Sequence, residues 1–391
     1  MNSIASNKKS SCCLSGLIVT VFLVLLVCPL AGAAEKFPVY PCIKSHVKFW
    51  EDVYGRYSTR QGIIHDRDNL ARVYTVINLA DTKTANAEQI NKQRVELAKE
   101  QVRAILLRLG NGLPPRTHEE RRIASLFTSR RPAAYHAARE TIRFQLGQSD
   151  RFYEGVIRSG KYLPAFRKIF MSKGLPTELI YLPHVESSFN PKAYSKAGAA
   201  GLWQFTRSTG KEYLTVNDLV DERLDPFTAT EAAAQLLRDN FNKLHCWPLA
   251  LTAYNYGRNG TMRAKKELGN YERIFMSYNQ GAFKFASRNF YPEFIAAYRV
   301  AKRIEKAHRF SLERPEPIIT LRLKSDTPAR RIQSYYRLSA EQFSRLNPAL
   351  LRTVLDGEHA VPSYYLVRLP ANKQNSLRLA RQQTNIERSR M

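Results

Sequence analysis

Three stretches of this 391-residue sequence hold residue types that do chemistry at meaningful spacings. In the first, Pro176 suits the first turn of a helix, and Leu179, Ile180, Leu182 and Val185 supply an apolar face running to Glu186. Asn190-Pro191 then closes the helix, which puts Glu186 in its last turn. There the negative end of the helix dipole raises a carboxyl pKa. A glutamate kept protonated near neutral pH by the dipole and apolar neighbours suits a general acid for glycosidic cleavage. The plainer reading is a surface carboxylate at a fraying helix end.

The second stretch, Ser195 to Phe205, is crowded with Ala and Gly, so a ligand such as a sugar ring can approach the backbone closely. Gln204 offers hydrogen bonds to hydroxyl or N-acetyl groups, while Trp203 either stacks on a sugar face or fills core. The third, Ala253-Tyr254-Asn255-Tyr256-Gly257, ends a helix that begins near Pro248 and sets an aromatic and an amide beside a turn. Asp218, Asp221, Glu222 and Asp225 are where a second catalytic carboxylate would be sought. Loop and capping roles account for them, since Asp225-Pro226 reads as the N-cap and first turn of a helix through Leu237. The Cys and His residues show no metal-ligand spacing, and no cofactor is expected.

The elements that must position these residues are mainly helical. Aromatic and aliphatic residues from Val47 to about Leu79 recur at mostly helical spacing, and Thr84 to Leu109 reads as a long charged amphipathic helix stopped at Gly110. Thr117 and Glu120 form a T-x-x-E capping box, and a further helix is expected from about Ala133 to Leu146. An all-helical region over 34–149 follows. Helices continue from Asp150, and past about Leu312 short β-rich pieces, Ile318 to Leu321 and Tyr364 to Leu369, flank two helical stretches. Residues 371–391 read as a polar, basic tail.

Taken together, Glu186-Ser187, Gly201-Leu202-Trp203-Gln204 and Ala253-Tyr254-Asn255 resemble, in order and spacing, the catalytic signatures of family 1 lytic transglycosylases. The similarity covers about Asp150 to Ala307. It implies a lysozyme-like (α+β), mostly helical catalytic domain over 150–311 that acts on peptidoglycan glycan strands. Glu186 would be acid and base, Ser187 would orient it, and Gln204, Tyr254 and Asn255 would face the glycan. The implied reaction cleaves the MurNAc–GlcNAc β-1,4 bond without water and closes a 1,6-anhydro ring, so no second carboxylate is needed. A hydrolytic muramidase, which would need one, and a non-catalytic wall-binding protein are the alternatives. The sequence departs from the family at Trp203, where Met is usual, at Tyr256, where Ala is usual, and at Ala286, where the family has Glu. Phe290 stands where the family has Tyr, and only a shifted backbone would let the neighbouring Tyr291 serve the glycan instead. Residues 312–370, with Asp326-Thr327, Tyr336, Asn347-Pro348 and Leu366 to Pro370, resemble a LysM glycan-binding module of βααβ form, with Ser325 where Gly is usual.

Composition sets the compartment. Lys8-Lys9, an apolar run from Leu14 to Val27 and small residues to Ala34 follow the order of a secretory signal, which would occupy 1–33. An uncleaved membrane anchor is the other reading of that run, and a lipid on Cys28 a third, although Val27 is bulky for it. The protein is therefore expected in the periplasm or cell envelope, with membrane association open. Cys42 and Cys246, the two cysteines outside the signal, are candidates to pair there. The formal charge of +27 suits an anionic partner. Export and the lack of a recognised motif turn that away from nucleic acid and toward the cell wall or membrane surface.

Overall fold

The computed structural model describes residues 35–307 and 311–379; the expected signal peptide and residues 380–391 of the expected tail lie outside the described residues. Among the described residues no helix is long and apolar enough to cross a membrane. The chain divides into a unit up to Lys36 and a second from Phe37 onward, to which every element below belongs.

This second unit opens with α1 (Lys44–Gly55), followed by β1 (Gln61–Asp66), β2 (Val73–Asn78), α2 (Ala87–Gly110), α3 (His118–Ser125), α4 (Pro132–Arg139) and β3 (Ile142–Leu146). A helical array follows: α5 (Ser149–Ser159), α6 (Leu163–Ser172), α7 (Pro183–Ser187), α8 (Arg207–Tyr213), α9 (Pro226–Leu244), α10 (Trp247–Tyr256), α11 (Arg258–Leu268), α12 (Tyr271–Ser277) and α13 (Phe285–Lys306). The chain ends as β4 (Ile318–Arg322), α14 (Ala329–Tyr336), α15 (Ala340–Leu346), α16 (Arg352–Leu355) and β5 (Leu366–Pro370). The fold is mainly α.

The expected all-helical region over 34–149 is corrected. β1 is the central strand of an antiparallel sheet in the order β2-β1-β3, with Ile63 opposite Val76 and Ile64 opposite Phe144. Nearly every residue of β1 is buried, the polar His65 and Asp66 included, so the strand lacks the period-two alternation that marks a half-exposed one. The helix expected to run to Leu146 stops at Arg139, and Ile142–Leu146 pairs with β1 instead. The sheet and α2–α4 share their own core of Ile64, Tyr74, Val102, Leu106, Ile123, Phe127 and Tyr135. The helix α1 belongs elsewhere: it lies along α13 and buries Val47, Phe49, Trp50, Val53 and Tyr54 in the core of the helical array. In chain order, then, the sheet subdomain interrupts the array between α1 and α5.

Local signals were obeyed where they were strong. The Thr117–Glu120 capping box is formed, with Thr117 Oγ1 accepting from the Glu120 amide at 3.1 Å and Glu120 accepting from the Thr117 amide at 3.2 Å. Asp225 caps α9 through the amides of Phe227 and Thr228 at 2.9 and 2.8 Å.

At the C-terminus β4 and β5 pair antiparallel, Thr320 opposite Arg368, around the intervening helices. This small core takes in Val220 from the loop before α9. The loop also meets it edge to edge: the Asp221 amide donates to the Ala349 carbonyl at 2.8 Å, and the Leu351 amide to the Leu219 carbonyl at 3.0 Å. Arg368 forms an ion pair with the capping carboxylate of Asp225, both side chains being almost fully buried. The segment expected to begin a tail at 371 is helical over 373–379, where Asn375 is buried and donates to the Pro370 carbonyl at 3.2 Å.

Candidate active site

Glu186 stands on α7, a helix of only five residues preceded by a 3-10 turn over Thr177–Tyr181, rather than at the end of one longer helix. So short a helix has little dipole; the Glu186 pKa is raised to about 8 by burial. Among the described residues none hydrogen-bonds to its carboxyl. The chain leaves α7 through two left-handed non-glycine residues, Ser188 at φ 50° and Phe189 at φ 54°. Such a turn persists only where its surroundings over-determine it. Here Arg158 of α5 donates to the Ser188 carbonyl at 2.9 Å, and Gly155 lies so close that a Cβ there would come within 2.7 Å of the same oxygen. Ahead of Glu186, His184 is buried among Phe152, Tyr181 and Phe189, and burial lowers its pKa to about 3. It is a neutral packing residue.

Ser187 donates to the Leu202 carbonyl at 2.9 Å, which ties the Glu186 turn to the Gly201–Gln204 stretch. In that stretch Gly201 has φ 77°, and a Cβ there would collide with the Arg223 carbonyl, so the glycine makes room for the chain's own backbone. Gln204, at φ 50°, spends its amide nitrogen on the Gly201 and Ala193 carbonyls at 2.9 and 3.2 Å, leaving its acceptor oxygen for a ligand. Trp203 is core: it is fully buried, stacks on Phe170 and donates to Thr230 at 2.8 Å.

Tyr254 and Asn255 close α10, and Gly257 at φ 91° separates them from α11. The Tyr254 hydroxyl donates to the Trp203 carbonyl at 2.7 Å and its ring stacks on Phe290, 6.2 Å between centroids. Burial, then the charge of Glu186, hold its phenol far above the usual range. Asn255 is exposed and accepts from Ser287 at 2.8 Å. Tyr291 is a correction. It is fully buried, donates to the Pro38 carbonyl at 2.9 Å and packs edge-on against Tyr271, because the helical register of α13 turns position 291 into the core while 290 faces Tyr254. Asp221, Glu222 and Asp225 serve Arg223, the Thr215 amide and the α9 cap respectively. Cys42 and Cys246 are free thiols.

Sequence reasoning missed a second carboxyl here. Glu293 lies on α13, one turn beyond Phe290, and its pKa is raised well above the usual range by burial and then by the charge of Glu186. Tyr54 of α1 responds to both carboxyls, again after burial. The available signal was helical: Ala286, Phe290 and Glu293 are spaced i, i+4, i+7 on one face of α13.

Residues 165–276 match the family described as Transglycosylase SLT domain. That stretch of the chain is similar to the SLT domain. Its candidate acid, the Gln204 turn and the Tyr254–Asn255 helix end all fall inside that match, which upholds the resemblance to family 1 lytic transglycosylases. The membrane-bound lytic murein transglycosylase D of Escherichia coli is 34% identical over 131 residues, 33% of this chain and 29% of that protein. The membrane-bound lytic murein transglycosylase C of Haemophilus ducreyi is 47% identical over 58 residues, 14% of this chain and 16% of that one. The chain thus spans under a third of the length of either relative. The 70 kDa soluble lytic transglycosylase of Escherichia coli superposes with a TM-score of 0.33 at 16% identity over 59% of this chain and 38% of that one, too distant to argue from. The sheet subdomain and the β4–β5 module lie outside the SLT domain match.

Proposed function

We propose that this protein cleaves the MurNAc–GlcNAc β-1,4 bond of peptidoglycan without water, giving 1,6-anhydro-MurNAc ends. The observation that carries this reading is a glutamate held protonated at neutral pH by burial alone, on a turn joined to the Gln204 and Tyr254 segments. Glu186 protonates the glycosidic oxygen as the bond to the muramic C1 breaks. The resulting carboxylate takes the proton of the muramic C6 hydroxyl as that oxygen closes onto C1, and the acid is restored. Gln204 and Asn255 contact the glycan, and Ser187 and Tyr254 hold the surrounding backbone. The relatives' names support a cell-envelope location, and the C-terminal module, with β4 and β5 paired around α14, α15 and the four-residue α16, supports a LysM-like role in holding glycan near the groove.

A hydrolytic reading draws on Glu293, since two carboxyls near one glycosidic bond are what water-using glycosidases have. Such an enzyme needs the second carboxyl ionised, as base or nucleophile. Glu293 is held neutral by burial, and Glu186 once ionised pushes the same way, so it suits a fixed polar wall. Mass spectrometry of products from purified peptidoglycan decides. Anhydro ends, lighter by one water than reducing ends, are expected from the wild type and from Glu293→Gln, which imitates a neutral carboxyl and should keep the rate within about threefold. Reducing ends, or a 10²–10⁴-fold loss with Glu293→Gln, the scale of general-base removal, would establish a hydrolase.

A further inference from the structure

Arg143 is a cation of the sheet subdomain that reaches α13, the helix carrying Glu293. It lies on β3, and its guanidinium sits over the ring of Phe285, the first residue of α13, 4.1 Å from the centroid. Two turns further along α13 is Glu293, whose carboxyl feels both Glu186 and Arg143. Neighbouring cations are engaged. Arg67 is bidentate to Asp68, both contacts 2.9 Å, and Arg288 is spent on the carbonyls of Phe275 and Tyr278. Arg143 is exposed, and its side chain makes no ion pair or hydrogen bond among the described residues. Glu293, kept neutral, does not supply its counter-ion. A guanidinium fixed by an aromatic face and left without an anion is prepared to receive one, and its planar fork matches a carboxylate.

On the reading of the site as a peptidoglycan-cleaving groove, we propose that Arg143 binds a carboxylate of the muramic acid residue or its peptide stem, so that the sheet subdomain selects among strands. A carboxylate is the anion this substrate carries beside its cleavable bond: the stem when present, or the lactyl group it was joined to when removed.

The experiment compares wild type, Arg143→Gln and Arg143→Lys on stem-bearing strands and on strands freed of stems by an amidase, with binding of a neutral chitooligosaccharide measured in parallel. Losing a charge-assisted hydrogen bond should raise KM about tenfold in Arg143→Gln at unchanged kcat, with partial recovery in Arg143→Lys. Chitooligosaccharide affinity should not move. A loss confined to stem-bearing strands assigns the contact to a stem carboxylate, a loss confined to freed strands assigns it to the lactyl carboxylate, and an equal loss on both means that Arg143 takes whichever carboxylate the strand presents. An unchanged KM on both, or an equal loss toward the neutral sugar, overturns the proposal. Reducing-end products from the wild type would overturn the anhydro reaction instead, while the KM comparison would still test Arg143.

Discussion

Glu186→Gln is expected to lower the cleavage rate by about 10³-fold or more while making the protein more stable at neutral pH. Both effects arise from the same burial. In the unfolded chain the carboxyl titrates at its ordinary value of 4.5, and in the folded protein near 8. Between those values the folded form holds a proton that the unfolded chain has released, so wild-type stability declines as pH rises through the window. At pH 7 the cost is about 3 kcal/mol, and glutamine, which cannot ionise, avoids it. Wild-type kcat/KM should fall above about pH 8 as Glu186 loses its proton, with Glu293, Tyr54 and Tyr254 remaining neutral beside it. Thermal melts of wild type and variant at pH 5 and 8 provide the check. The two should converge toward pH 5 and separate at 8, and identical melts at both would mean that Glu186 is not desolvated.

Asp225→Asn is expected to destabilise the protein by about 3–5 kcal/mol, because it leaves Arg368 buried without its paired carboxylate, only the charge of Glu222, which is not bonded to it, remaining near it. Asparagine is as good an N-cap as aspartate, so the α9 cap survives and the loss isolates the charge. Arg368 also donates to Thr228 at 3.2 Å, lies over the Phe227 ring and, by burial, has its pKa lowered to about 10. Adding Arg368→Leu to Asp225→Asn removes the orphaned cation, so the double variant should recover part of the loss. Urea unfolding of the four proteins completes the cycle, and strict additivity of the two single effects would deny that the pair holds the C-terminal module to α9.

What was readable beforehand follows the range of the interactions involved. The capping box at Thr117 and the Asp225-Pro226 start of α9 depend on residues two or three apart, and both stood in the sequence as they stand in the fold. Glu186, Gln204, Tyr254 and Asn255 were recognisable because each lies within a short local motif. The strands β1 and β3 were not, since their pairing joins Ile64 to Phe144, eighty positions away, and burial erased the alternation of β1.

The sequence by itself determined the capped starts of α3 and α9 and the acidic residue at the end of an apolar turn, all properties of neighbouring residues. Tertiary structure alone decided the environment of those residues. Burial by α5 and α13, not the helix dipole, raises the Glu186 pKa. The register of α13 sends Tyr291 to the core and Glu293 toward Glu186, and the sheet subdomain brings Arg143 to the same helix. A pKa is set by which groups exclude water and which charges stand nearby, and those groups come from α1, β3, α10 and α13, brought together only when the chain folds.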